Sequence, residues 1–162
     1  MPNQDLQIKL IVSAKPEAVF QAINNVRGWW SEEITGSTVQ LNDKFNYNFE
    51  DVHRCEIKII TSIPNKMVEW YIKNNYFKFT KDKTEWTGTT IRFEIIANEY
   101  NTEVIFTHLG LTDQLECFEI CSGAWSQYIL TSLKHLIETG TGNPNGKGNP
   151  QTEDESKFLN NN

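Results

Sequence analysis

The chain has 162 residues, of which 38% are apolar and 12% aromatic, enough for one domain with a hydrophobic core. Its net charge of −6 comes without clusters of Lys and Arg, which argues against a nucleic-acid partner. No stretch approaches the roughly 18 apolar residues of a membrane span, and the cysteine count is odd. We therefore expect a soluble cytoplasmic protein with reduced thiols.

The N-terminal region predicts a strand followed by a short helix. Apolar residues alternate along residues 6–12, which is the period of a half-buried strand. Pro16 suits a first helical turn, and Val19 and Ile23 recur at helical spacing. The helix is predicted to end near Asn24.

The middle of the chain predicts antiparallel strands. Two β-rich runs at residues 34–41 and 45–49 flank an Asn-Asp-Lys triplet that favours a tight turn, so they predict a hairpin. Further strands are predicted near residues 55–59, 68–72, 87–96 and 102–109, with breaks at residues 63–66 and 97–101.

The C-terminal region predicts one long helix and then a tail. Apolar residues from 115 to 138 form one broad helical stripe, and Gly140 is a suitable stop. Residues 141–162 are rich in Gly, Asn and charge, with Phe158 and Leu159 as apolar anchors. We expect a folded domain over residues 1–140 and a disordered tail over residues 141–162.

This order of elements predicts an α+β fold. About six to seven antiparallel strands form one curved sheet, and only the long C-terminal helix can cover its inner face. A sheet curved in this way seldom closes fully on one helix, so we expect an apolar cavity between them.

Four groups of residues stand out along the chain: Trp29-Trp30, Val68-Glu69-Trp70, Thr90–Phe93 paired with Glu103–Leu111, and Gly123–Leu130. These motifs resemble the START-like, birch-allergen-type (SRPBCC) superfamily of helix-grip domains, specifically the branch of activator of heat-shock-protein ATPase homologues. The resemblance implies a cavity that holds lipids, sterols, polyketides or other apolar molecules. We do not expect this chain to carry the second domain of the founding activator.

Aromatic and apolar residues at inward positions of the sheet and the helix are candidates for contact with a ligand, although such stripes equally fill cores. The adjacent indoles of Trp29 and Trp30 are expected to point apart, one into the core and one to the rim of the cavity. The candidate ligand-binding residues are Trp30, Tyr47, Phe49, Ile57, Trp70, Phe93, Phe106, His108, Cys121 and Trp125.

His108 is the one candidate for catalysis. It alternates with Val104 and Phe106 and is therefore expected to face the cavity, where an imidazole can bond a ligand or move a proton. A small cyclase-like enzyme would use His108 as acid or base beside Tyr47 or Tyr128. The alternative is a histidine whose hydrogen bonds are satisfied within the core, and because the chain lacks nucleophile and phosphate-loop motifs, the sequence leans away from an enzyme.

Neither a metal site nor a cofactor is predicted. Cys117 and Cys121 share a helix face and, with His108 or His53, carry ligand atoms suited to a soft metal. Small buried apolar residues are the simpler interpretation, because the sequence offers no fourth grouped ligand.

Three functions remain open from the sequence. The first is binding of an apolar small molecule in the cavity. The second is the cyclase-like enzyme. The third is a protein-interaction module, either a chaperone-linked or stress-linked contact or a homodimer, which would leave the cavity collapsed and a surface patch exposed.

Overall fold

The computed structural model describes residues 4–146 and 148–160. Within these residues, seven strands form a single curved sheet in the order β1-β7-β6-β5-β4-β3-β2, and every neighbouring pair is antiparallel. The predicted α+β helix-grip fold is confirmed. The strands are β1 (Leu6–Val12), β2 (Thr35–Gly36), β3 (Lys44–Phe49), β4 (His53–Ile63), β5 (Met67–Phe77), β6 (Thr90–Ala97) and β7 (Thr102–Leu109).

The described helices lie between β1 and β2 and after β7. Three consecutive helical segments join into one helix of 22 residues, called the long helix below, which ends at Gly140 with a φ of +88°. None of these helices has the length and hydropathy needed to cross a bilayer. The helices are α1 (Pro16–Asn24), α2 (Val26–Trp29), α3 (Phe118–Gln127), a π-helical segment (Tyr128–Leu133), α4 (Lys134–Thr139) and α5 (Glu153–Asn160).

Strand alternation decides which side chains enter the core. Along β1, Ile8, Leu10 and Val12 are buried while the residues between them are exposed. The register of β4 against β5 shifts twice, between Glu56 and Ile57 and again near Thr61. Such bulges bend a strand, so they help the sheet to curve around the long helix.

The predicted strand over residues 34–41 is wrong for most of its length, since only Thr35–Gly36 pairs with β3. The Asp43 carboxylate accepts the backbone N–H groups of Val39 and Gln40, which closes a local turn instead of a ladder. Val39 is exposed there, so no apolar burial favours a strand.

The segment after Gly140, predicted to be disordered, packs onto the domain over its described residues. Asn145 is fully buried, and its backbone bonds to Trp30 and Glu32. α5 follows and buries Glu155. These buried contacts hold the described part of the polar segment against the domain; residues 147, 161 and 162 of the predicted tail lie outside the described residues.

Candidate functional site

A small, mostly apolar cavity lies between the β3–β5 end of the sheet, the long helix and α5. Its volume is about 50 Å³, room for a few waters but far below the roughly 300–1,000 Å³ of a ligand pocket. Side chains of α5 close one side of it. The lining residues are Trp30, Tyr47, Phe49, Val52, His53, Phe77, Phe79, Trp86, Ile120, Cys121, Ala124, Trp125, Tyr128, Thr152, Asp154, Glu155 and Phe158.

Aromatic rings from separate elements form the walls of this cavity. Trp30, just after α2, stacks on Tyr47 of β3 with ring centroids 4.1 Å apart. Trp125 of α3 lies 5.0 Å from Trp30 and 5.6 Å from Trp86, measured between ring centroids. Strand alternation and the apolar stripe of the helix direct these rings inward, so the predicted cavity is largely filled by its own walls.

A polar network lies at the end of the cavity nearest α5. The Asn145 Nδ2 amide donates to the hydroxyl oxygens of Tyr47 at 2.9 Å and Tyr128 at 2.8 Å. The Tyr128 hydroxyl in turn donates to the Glu155 carboxylate, 2.7 and 2.9 Å from its two oxygens. The backbone N–H of Gln151 donates to Glu155 Oε1 at 2.8 Å. These bonds hold one carboxyl group against an otherwise apolar cavity.

Burial sets the protonation of this network. Desolvation raises the pKa of the Glu155 carboxyl, while hydrogen bonds from Gln151 and Tyr128 oppose that rise. Burial also raises the pKa of the Tyr47 and Tyr128 phenols, so both remain protonated donors at neutral pH. No acceptor for the Tyr47 hydroxyl proton is found among the described residues.

His108 faces inward as predicted and is fully buried, but its hydrogen bonds are all used within the core. The Trp125 indole N–H donates to His108 Nδ1 at 3.1 Å, so the ring proton sits on Nε2, which lies 2.8 Å from Thr89 Oγ1. The Thr89 hydroxyl donates to the Trp86 carbonyl. The proposed acid–base pairing of His108 with Tyr47 or Tyr128 does not occur in the structure, because those phenols bond to Asn145 instead.

His53, which is not among the predicted ligand-binding residues, reaches the cavity. Its ring contacts Tyr47 and Trp86, and its Nε2 lies 3.0 Å from Cys55 Sγ. Burial, with a smaller contribution from His108, lowers the pKa of His53 to about 3, and burial raises the pKa of the Cys55 thiol. The pair is therefore a neutral imidazole beside a neutral thiol, not an activated nucleophile.

The structure brings together half of the predicted ligand-binding residues. All ten are buried, but only some line the cavity. The others pack against one another beneath it, as when the Trp70 and Phe93 rings meet at 5.0 Å. Both Trp29 and Trp30 are buried, with Trp29 in the core and Trp30 on the cavity wall. Of the ten predicted residues, the five on the cavity wall are Trp30, Tyr47, Phe49, Cys121 and Trp125. The five beneath it are Ile57, Trp70, Phe93, Phe106 and His108.

Sequence reasoning missed the contribution of the tail to this site. Glu155 and Asn145 lie in a polar segment without periodicity, and nothing local marks them as buried. The Phe158–Leu159 pair was the one available signal, because apolar residues in a polar tail favour docking. Phe158 lines the cavity and stacks on Phe79 with centroids 4.9 Å apart.

Within residues 4–146 and 148–160, no group of three or more His, Cys, Asp or Glu side chains is arranged to hold a metal ion. Cys55, Cys117 and Cys121 are buried free thiols. The site therefore offers apolar and aromatic contact, the phenols of Tyr47 and Tyr128, and the carboxyl groups of Glu155 and Asp154.

Comparison with known families finds one matching model. The family described as "Activator of Hsp90 ATPase homolog 1-like protein" matches residues 13–138, from just after β1 almost to the end of the long helix. No curated protein matches the chain.

Solved structures share the fold. The Aha1 dimer from Colwellia psychrerythraea is 26% identical, with 86% of this chain and 99% of that chain covered and a TM-score of 0.69. DynU16, a protein of the dynemicin biosynthetic locus, is 12% identical, with 87% of this chain and 49% of that chain covered and a TM-score of 0.65. CalU16 from Micromonospora echinospora is 12% identical, with 96% of this chain and 81% of that chain covered and a TM-score of 0.59.

Proposed function

The chain belongs to the family of activator of Hsp90 ATPase homolog 1-like proteins, and from this premise we propose that it binds a small apolar molecule in the cavity beneath α5. The observation that carries the proposal is the aromatic cavity with a single polar end, closed by a short helix outside the matched family region. Apolar walls with a few convergent polar groups are typical of small-molecule sites.

The small volume of the cavity requires that part of α5 moves when a molecule binds. α5 holds its place through the Glu155 contacts and the ring of Phe158, which is only half-buried. An ion pair between Lys157 and Glu153 of α5 is highly exposed and therefore contributes little to holding the helix in place. Rotation of the Phe158 ring away from Phe79 vacates space for a ring of similar size next to Trp125 and Tyr47.

Titration of the full chain with naphthylmethanol, an uncharged aromatic alcohol, tests the proposal. We expect saturable one-to-one binding by calorimetry, with a change in tryptophan emission because Trp30, Trp86 and Trp125 line the cavity. Phe158→Ser should bind the alcohol at least about threefold more tightly. Without the Phe158 ring, a larger fraction of the protein is in the open form that can bind the probe.

Lys157→Ser is the matched control, since it lies on the exposed face of the same helix. It should bind as the unaltered chain does. If neither the unaltered chain nor Phe158→Ser binds the alcohol, the proposal is wrong, and a protein contact, whether with a chaperone or with a second copy as in the dimeric Colwellia relative, becomes the leading function.

A further inference from the structure

The charged groups that line the cavity are acidic. Glu155 and Asp154 both line it, and no Lys or Arg is found among the described lining residues. His53 adds no positive charge at neutral pH, because burial lowers its pKa to about 3. The electrostatic potential inside the cavity is therefore negative or, where Glu155 is protonated, close to neutral.

Glu155 lacks a cationic partner among the described residues. It is 8% exposed, and no ion pair recorded there includes Glu155 or Asp154. Its described partners are all uncharged donors: the Tyr128 hydroxyl, the backbone N–H groups of Gln151 and Thr152, and the Asn145 amide. Buried carboxylates in proteins are normally paired with a positive charge. A cationic ligand in the cavity would supply that positive partner to the Glu155 carboxylate.

The walls of the cavity favour the same kind of charge. The indole rings of Trp30, Trp86 and Trp125 and the phenol of Tyr47 surround the space beside Glu155. Aromatic faces carry negative electrostatic potential and attract ammonium groups, most strongly where water is excluded. Aromatic walls and a carboxylate together form a site that discriminates by charge.

We infer that the molecule bound beneath α5 is an organic cation, an amine with an apolar body, whose nitrogen pairs with Glu155 while its body contacts the aromatic walls. The inference rests on the proposed function, since it needs the cavity to open. Displacement of the Phe158 ring is compatible with it, because Tyr128 and Gln151 hold Glu155 in place independently of that ring.

Three probes that share one ring system test the inference on the full chain at neutral pH. They are naphthylmethylamine, which is protonated, naphthylmethanol, which is uncharged, and naphthoate, which is negative. We expect the ammonium probe to bind about tenfold more tightly than the alcohol. The naphthoate should bind most weakly.

Two charge-matched variants separate the cavity carboxylate from the net charge of the protein. Glu155→Gln should lower the affinity for naphthylmethylamine about tenfold more than the affinity for the alcohol, since the Gln side chain still accepts from Tyr128 but carries no charge. Glu153→Gln removes the same charge from the exposed side of α5. It should leave both affinities unchanged.

The outcomes distinguish this inference from the function on which it rests. The inference of an organic cation is wrong if the alcohol binds and the ammonium probe binds no better, or if Glu153→Gln and Glu155→Gln have equal effects. In either case the proposed apolar binding site is retained. If naphthoate binds best, the charge assignment is reversed. If no probe binds, both the inference and the proposed function fail.

Discussion

At the scale of single residues, the buried His108 and the half-buried His53 show how enclosure of a side chain decides its chemistry. His108 donates to Thr89 and accepts from Trp125, so a proton on its second ring nitrogen would displace the indole N–H bond. Desolvation lowers the pKa of His108 to about 3, and the pKa of His53 is lowered similarly. Both imidazoles are structural neutral groups in the folded protein.

This burial predicts acid destabilisation. Both folded pKa values lie below the unfolded value of 6.5, so below that pH the unfolded chain binds more protons than the folded chain. The stability that is present above about pH 6.5 is therefore lost as the pH falls toward 3. Each histidine should contribute up to about 1.4 kcal/mol per pH unit to the fall in unfolding free energy. Urea unfolding at a series of pH values between neutrality and mild acid measures this slope.

His108→Gln should reduce that slope by about half, and His135→Gln, at an exposed position, should leave it as in the unaltered chain. A slope unaffected by His108→Gln would mean that His108 does not stay neutral on folding.

At the scale of elements, the π-helical segment connects the long helix to the tail. It buries both Tyr128 and Ser132. Tyr128 bonds Glu155 of α5, while the Ser132 hydroxyl donates to the Trp29 carbonyl and accepts the Asn143 N–H. One turn of helix thus fixes the segment that carries Asn145 and α5, and π-helical turns often occur at functional sites.

Gly142 is expected to be required for this attachment. A Cβ there would collide with the carbonyl oxygen of Gly28 and press on Ser132, so Gly142→Ala should push the tail outward. Hydrogen exchange of the α5 amides should become faster while exchange in β6 and β7 changes little, because the amides of those strands are bonded to neighbouring strands of the sheet.

The matched control is Gly123→Ala, where a Cβ meets nothing within 4 Å in the middle of α3. It should raise the unfolding free energy by about 1 kcal/mol through helix propensity alone and leave α5 exchange unchanged. Unaltered α5 exchange in Gly142→Ala would show that the close approach to Gly28 does not hold the tail.

At the scale of the whole molecule, one core connects the sheet, the long helix and the segment after Gly140. The five tryptophans all belong to it, and none is more than 4% exposed. The stacked Trp29, Trp30 and Trp70 rings bridge α2 and the sheet. Such a continuous core favours cooperative unfolding.

We therefore expect tryptophan emission and far-ultraviolet circular dichroism to report the same single denaturation midpoint, with little acrylamide quenching before it. Phe158→Ser should increase quenching in the folded state, because Trp86 and Trp125 lie next to the opened cavity. Separate midpoints for the two signals, or strong quenching of the unaltered chain, would contradict a single enclosed core.

Local periodicity was sufficient to predict much of this architecture. The alternation along β1 and β7 predicted which side chains face inward, His108 included, because successive strand residues must point to opposite faces. The apolar stripe of the long helix and its end at Gly140 were predictable for the same kind of local reason.

How the interior is occupied depends on tertiary packing. Whether Trp70 or Trp125 lines a cavity depends on the volumes of side chains far apart in sequence, which no local pattern encodes. The same holds for Glu155, whose burial requires Tyr128 and Asn145 as partners. The curved sheet and its covering helix were predictable from short-range periodicity in the sequence, whereas the closed cavity, its polar end and the docked α5 arise from long-range packing.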